Sequence, residues 1–199
     1  MKLYLVRHGE TDWNLANRIQ GHTDIPLNEN GRQQAKALAQ RLAEEHQIDV
    51  IYSSKQKRAL ETAQIIGAKL EIEPIPTEGL QEVCLGSWEG YTWRQVRELF
   101  PEEYEAWYKS RRYLKPPCGE SYQQVLDRVL PVLMQIWLQE EGNALIVTHG
   151  AVIMSLLSYL HNTPFEDMAR NYKTGNTGVH ELAMEELKKR METDDGSNL

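Results

Sequence analysis

Two stretches of this chain repeat one arrangement: a short apolar run, then histidine and glycine. Leu3-Tyr4-Leu5-Val6 leads into Arg7-His8-Gly9-Glu10-Thr11, and Ala144-Leu145-Ile146-Val147-Thr148 leads into His149-Gly150. Apolar runs of this length, closed by a glycine turn, read as strands. Each histidine then stands at the carboxyl end of a strand, where open α/β sheets bind their ligands. If the two strands are parallel neighbours, both histidines face one crevice.

The rest of the chain alternates helix and strand. Asn28 reads as the N-cap of a helix whose buried stripe is Ala35, Leu38 and Leu42. Val50-Ile51-Tyr52 reads as a strand, with Ser53 and Ser54 capping a helix to about Leu70. Pro74, Pro76 and Gly79 leave room for a short edge strand. Thr92 caps a helix to Phe100, and Pro101 opens another to about Tyr108. Ser121 opens a long helix to about Glu141, with Val125, Val129, Leu133 and Ile136 as core face and a kink expected at Pro131. A helix from Gly150 to about His161 and a last strand from Gly178 to Ala183 follow. Such alternation predicts an α/β fold, with a largely parallel sheet and helices on both faces. No linker divides the chain, so 1–199 reads as one domain, with 185–199 a charged short helix or extended tail.

Several function classes fall away. Net charge is -7 and no long basic block offers a surface to nucleic acid. The longest apolar region, Ala144 to Leu160, is broken by Thr148, His149, Gly150, Ser155, Ser158 and Tyr159, so it reads as strand plus buried helix rather than a membrane span. The four apolar residues just ahead of Arg7 are too few for a signal peptide. Cys84 and Cys118 form neither a CxxC nor a zinc spacing. The expectation is a cytoplasmic protein with free thiols and with no metal or cofactor.

Three further segments carry candidate chemistry. The helix after Ser54 opens with Lys55, Lys57 and Arg58, the wrong sign for a helix N-terminus. Lys55 and Lys57 read as solvated surface, but Arg58 beside a helix N-terminus suits an anion site. Glu82 lies among apolar residues, ahead of Gly86-Ser87-Trp88-Glu89-Gly90. The loop from Lys109 to Gly119 sets Arg111, Arg112 and Lys115 beside Trp107, Tyr108 and Tyr113, which reads as a lid over an anionic or aromatic substrate.

Taken together, Arg7-His8-Gly9-Glu10-Thr11, Asn14, Gln20-Gly21, Ser54-x-x-x-Arg58-Ala59-x-x-Thr62-Ala63, Glu82 with Gly86-x-Trp88-Glu89-Gly90, and Thr148-His149-Gly150 resemble the histidine phosphatase superfamily. The resemblance runs from Lys2 to roughly Ala183. It implies a phosphoglycerate-mutase-like fold, a three-layer α/β/α domain with a mixed sheet. It implies that His8 is the nucleophile, held in one tautomer by a backbone carbonyl, and that Arg7, Arg58 and a protonated His149 cage the phosphoryl group. Glu82 is the implied proton donor to the leaving alcohol and later the base for water. Asn14, Gln20, Gly21 and Gly150 are expected as further binding groups, and Arg111 with Arg112 as substrate contacts.

The expected partner is a small phosphorylated metabolite, and the expected activity is phosphomonoester hydrolysis through phosphohistidine. A phosphoglycerate mutase is the alternative, since Arg111-Arg112-Tyr113 and Pro116-Pro117 look like the mutase segment that grips the substrate carboxylate. Tyr113 to Gly119 is short against the classical mutase segment, and a short lid shields phosphohistidine poorly from water. A non-catalytic phosphate-binding protein is the third reading, disfavoured because no member of the catalytic set is missing.

Overall fold

The computed structural model describes residues 1–196. In chain order it comprises β1 (Leu3–Arg7), α1 (Asp12–Leu15), α2 (Glu29–Glu45), β2 (Val50–Ser54), α3 (Lys57–Leu70), β3 (Ile75–Thr77), α4 (Trp93–Leu99), α5 (Pro101–Ser110), α6 (Tyr122–Gln139), β4 (Ala144–Thr148), α7 (Gly150–Leu160), α8 (Met168–Asn171), β5 (Val179–Leu182) and α9 (Met184–Gly196). The strands form one sheet in the order β3-β2-β4-β1-β5. β1 and β4 are parallel neighbours, with Arg7 opposite Thr148, and His8 N donates to Thr148 O at 3.0 Å. The two histidines therefore leave the sheet side by side. β5 runs antiparallel to β1, which makes the sheet mixed.

Strand alternation sorts the core into two layers. Tyr4, Val6, Ile51, Leu145 and Val147 pack with Leu38 and Leu42 of α2 and Ala59, Ala63 and Ile66 of α3. Leu3, Leu5, Ile146 and Tyr52 pack with Val125, Val129 and Leu133 of α6 and Val152 and Leu156 of α7. This is the three-layer arrangement. Thr11, Thr92 and Ser121 open α1, α4 and α6 with reciprocal capping boxes, each worth about 1 kcal/mol. No described helix is long and apolar enough to cross a membrane.

One local expectation is corrected. Ser53 and Ser54 belong to β2, because pairing with Pro76 and Thr77 of β3 extends the strand past Tyr52. The N-cap of α3 is Gln56, which makes no side-chain cap bond, and Asp24 accepts from Lys57 N at 2.7 Å in its stead. The charged end takes the helical one of its two expected forms. Residues 184–196 are helix, with Met184 and Leu187 buried, while 197–199 lie outside the described residues. Arg190 of α9 donates to Asn162 at 2.9 Å and pairs with Asp194 at 3.3 Å. Pro131 lies within α6, which continues through it as one helix.

Candidate active site

A cavity of about 670 Å³ opens at the carboxyl ends of β1 and β4. Arg7, His8, Asn14, Gln20, Gly21, Glu82, Arg111 and Gly150 are among its lining residues. Arg58 and His149 are fully buried behind that lining, in contact with Gly21 and His8 respectively.

His8 is 2% exposed, and its Nδ1 lies 2.7 Å from Gly9 O. A carbonyl only accepts, so Nδ1 carries the proton and Nε2 keeps its lone pair. Burial holds the His8 pKa well below its ordinary value, and the Arg58 and Arg7 cations press it in the same direction. The imidazole is thus a neutral base. Gly9 is needed for close approach rather than for an unusual φ, since a Cβ there would lie 2.5 Å from Gly31 O. Gly9 N donates to Thr62 Oγ1 at 3.0 Å, and Asn176 Nδ2 donates to His8 O at 3.0 Å, so the backbone on both sides of the ring is anchored.

Two guanidinium groups flank this base. Arg7 Nη1 donates to Thr174 O at 2.6 Å. Arg58 donates through Nη2 to Gly21 O at 2.8 Å and through Nη1 to Thr23 O at 3.0 Å. Burial lowers both arginine pKa values and Glu82 opposes the shift. Arginine starts high enough to remain charged at neutral pH. Among the described residues, Arg7 Nε, Arg58 Nε and His149 Nδ1 are buried atoms with no partner in the protein. Each unmet buried polar group costs about 1–3 kcal/mol. Three around His8 are hard to explain by folding alone and easy to explain by an anion.

His149 differs from expectation in its charge. Burial first, then Arg58, His8, Arg128 and Arg7, hold its pKa well below the ordinary value, so the ring is neutral in the free protein. Its Nε2 lies 2.8 Å from Ser54 Oγ, and its ring centroid 5.2 Å from that of His8.

The Glu82 carboxylate is half-buried at the N-terminus of α7. Its Oε2 accepts from Ala151 N at 3.3 Å and its Oε1 from Val83 N at 3.0 Å. Gln56 Oε1 accepts from Glu82 N at 2.8 Å, and Arg128 donates to Glu82 O at 3.1 Å. The carboxylate is therefore carried on a segment pinned from two sides.

The remaining predicted residues divide. Gln20 Oε1 accepts from Thr11 Oγ1 at 2.9 Å, and Asn14 Oδ1 from Thr11 N at 3.1 Å. Gly21 has φ of +50°, and Glu89 Oε1 occupies the place of a side chain there. Gly150 starts α7 against Arg7, with Arg7 Nε 3.3 Å from where a Cβ would stand. Arg111 reaches the cavity, with Nε and Nη2 each 2.7 Å from the carbonyls of Phe165 and Glu166. Arg112 does not reach it. Its guanidinium donates to Gln123 Oε1 at 3.0 Å, lies 3.9 Å from Asp194 and covers the Tyr159 and Phe165 rings. Consecutive residues in a turn point apart, so Arg112 joins α9 to the body instead of meeting substrate.

Sequence reasoning missed Ser54, Thr174, Asn176, Arg128 and the role of Glu89, whose carboxylate accepts from His22 N, Thr23 N and Leu85 N. Glu89 thereby holds the loop whose carbonyls grip Arg58. Only the adjacency of Glu89 to the Gly86 turn hinted at it. Cys84 and Cys118 are both free.

The family model described as histidine phosphatase superfamily (branch 1) matches residues 3–194. The chain belongs to the histidine phosphatase superfamily. Within this superfamily it is 42% identical over 158 residues to phosphoglycerate mutase-like protein 4 of Arabidopsis thaliana, covering 78% of this chain and 69% of that one. It is 41% identical over 182 residues to the metal-independent phosphoserine phosphatase of the same plant, covering 90% and 76%. Among solved structures, a mycobacterial glucosyl-3-phosphoglycerate phosphatase superposes with a TM-score of 0.81 at 31% identity, covering 92% of each chain. Phosphomonoester hydrolysis, the activity expected from the sequence, is the function these superfamily relatives support.

Proposed function

We propose that the chain is a metal-independent phosphomonoester hydrolase whose phosphoryl group passes through His8. The observation that carries the assignment is the set of buried, partnerless nitrogens of Arg7, Arg58 and His149 around a neutral His8. His8 Nε2 attacks phosphorus in line with the leaving oxygen, and the P–O bond breaks as the P–N bond forms. Glu82 gives its proton to that oxygen, so the alcohol departs neutral. The Glu82 carboxylate then takes a proton from water, whose oxygen attacks phosphohistidine and releases phosphate with His8 restored. Arg7 and Arg58 supply the positive charge that phosphoryl transfer needs at its equatorial oxygens.

The substrate is a small phosphorylated metabolite. Arg111 has Nε and Nη2 committed to carbonyls, which leaves Nη1 for a second anionic group such as a carboxylate. Phosphorylated hydroxy acids fit this pair of charges. The free thiols of Cys84 and Cys118 agree with a cytoplasmic setting.

A panel of phosphomonoesters tests the reading, with 3-phosphoglycerate offered with and without 2,3-bisphosphoglycerate. Net phosphate release from several members, abolished in His8→Ala, is expected. Efficient 3- to 2-phosphoglycerate interconversion faster than phosphate release would replace the hydrolase with a mutase.

A further inference from the structure

Ser54 Oγ lies 2.8 Å from His149 Nε2, and both side chains are fully buried. A serine hydroxyl has one proton to give and two lone pairs to receive with. Ser54 Oγ already accepts from Gln56 N at 3.3 Å. Among the described residues it has no third partner. Were the ring proton on Nε2, Ser54 would accept twice and its own proton would be buried without an acceptor. His149 Nδ1 would meanwhile be a bare lone pair in the same anion cage as the Arg7 and Arg58 guanidinium groups. Buried polar groups are nearly always satisfied, so the alternative is favoured: Ser54 donates to Nε2, and the ring proton sits on Nδ1.

We infer that Ser54 is a positioning residue that holds neutral His149 as its Nδ1–H tautomer, so that an uncharged imidazole becomes a hydrogen-bond donor to the phosphoryl group. The role rests on the proposed phosphatase function, but the tautomer does not. The buried, partnerless Nδ1 is then a donor awaiting an acceptor, like Arg7 Nε and Arg58 Nε. His8 and His149 share one tautomer and use it in opposite senses. His8 gives its Nδ1–H to Gly9 O and presents a lone pair at Nε2. His149 accepts a hydrogen bond at Nε2 from the Ser54 hydroxyl and presents Nδ1–H. A neutral donor adds a hydrogen bond to the dianion without adding a third charge that His8 would have to tolerate while it attacks. The position of Ser54 is set by the sheet, since β2 pairs with β4 up to Ser53 opposite Val147, and Ser54 follows beside the strand end that leads to His149.

Nitrogen-15 histidine spectra of the ligand-free protein near neutral pH test the inference, with His149→Asn used to assign the signals. The expected pattern has His149 Nδ1 protonated and Nε2 bare. Ser54→Ala is expected to shift His149 toward the Nε2–H form, to leave the His8 pattern unchanged and to lower kcat/KM by about ten- to a hundredfold. A protonated Nε2 in the wild-type spectrum overturns the inference, whether or not the enzyme turns over. So does an unchanged His149 pattern in Ser54→Ala. An Nδ1–H pattern in a protein that never phosphorylates His8 would leave the tautomer standing and remove the phosphatase reading. If Ser54→Ala does not fold, the wild-type spectrum decides alone.

Discussion

Arg58 donates through Nη2 to Gly21 O at 2.8 Å, and Gly21 can offer that carbonyl because it lies at φ of +50° with Glu89 in place of a side chain. The fork of one guanidinium is thus fixed by Gly21 and Thr23 before any substrate arrives. Lysine gathers its three donors on one nitrogen and cannot reproduce the planar fork that spans Gly21 O and Thr23 O. Arg58→Lys should lower kcat/KM on the order of 10²–10³-fold, as loss of one fixed transition-state donor does. Steady-state kinetics with p-nitrophenyl phosphate measures it, and a loss under tenfold would contradict the assigned role.

Glu82→Gln keeps the shape of the side chain and removes its proton chemistry. General acid help is typically worth about 10²–10⁴-fold and matters most for poor leaving groups. Alkyl phosphates should therefore lose far more turnover than p-nitrophenyl phosphate. Equal losses on both would assign Glu82 to capping α7 through Ala151 N rather than to proton transfer.

Stability should fall on mild acidification. His8 and His149 are both held well below 6.5 in the folded chain. Below pH 6.5 the unfolded chain therefore binds more protons. The stabilisation they give is complete above pH 6.5 and is lost as pH falls from there through the folded values. Each contributes a slope of at most about 1.4 kcal/mol per pH unit, so about 2.7 for the pair. Urea midpoints between about pH 7 and pH 5 read this slope, and His149→Asn should roughly halve it. Constant stability across that range would mean that both rings are charged or solvated, and half the slope that one of them is.

Arg111 and Arg112 should separate cleanly. Arg111→Ala is expected to raise KM several-fold for phosphomonoesters that carry a carboxylate, and to change p-nitrophenyl phosphate less. Arg112→Ala should leave both KM values near wild type. Loss of its contacts to Gln123, Asp194 and the Tyr159 ring, about 1 kcal/mol in sum, should lower Tm by about 2–4 °C. The reverse pattern would return Arg112 to the substrate.

Much of this architecture was legible because it is written locally. His8 and His149 follow apolar runs, and the sign of the first turn of α3 marked Arg58 as out of place. That helix lacks the serine cap expected of Ser53 and Ser54, because both belong to β2 and Gln56 makes no side-chain cap bond. What stayed hidden depends on distant partners. Ser54 meets His149 across 95 positions, and Asn176 meets His8 across 168. The antiparallel course of β5 has no local signature, and adjacency made Arg112 look like a twin of Arg111. The charged segment from Glu185 left helix and extended tail both open, because Met184 and Leu187 are too few buried apolar residues to show a period.

The place of β1 in the sheet bears on how the chain assembles. Its two neighbours are β4 and β5, so the strand that leads into His8 is made well before either partner and is flanked on both sides only after residue 182 has followed. Both its edges are open until β4 has followed, and one stays open until β5 has followed. High-contact-order pairing of this kind slows folding and exposes unpaired edges to other chains. A nascent chain stalled before β4 would hold His8, Arg58 and Glu82 without the strand that joins β1 to β2, so activity should appear only after β4 docks.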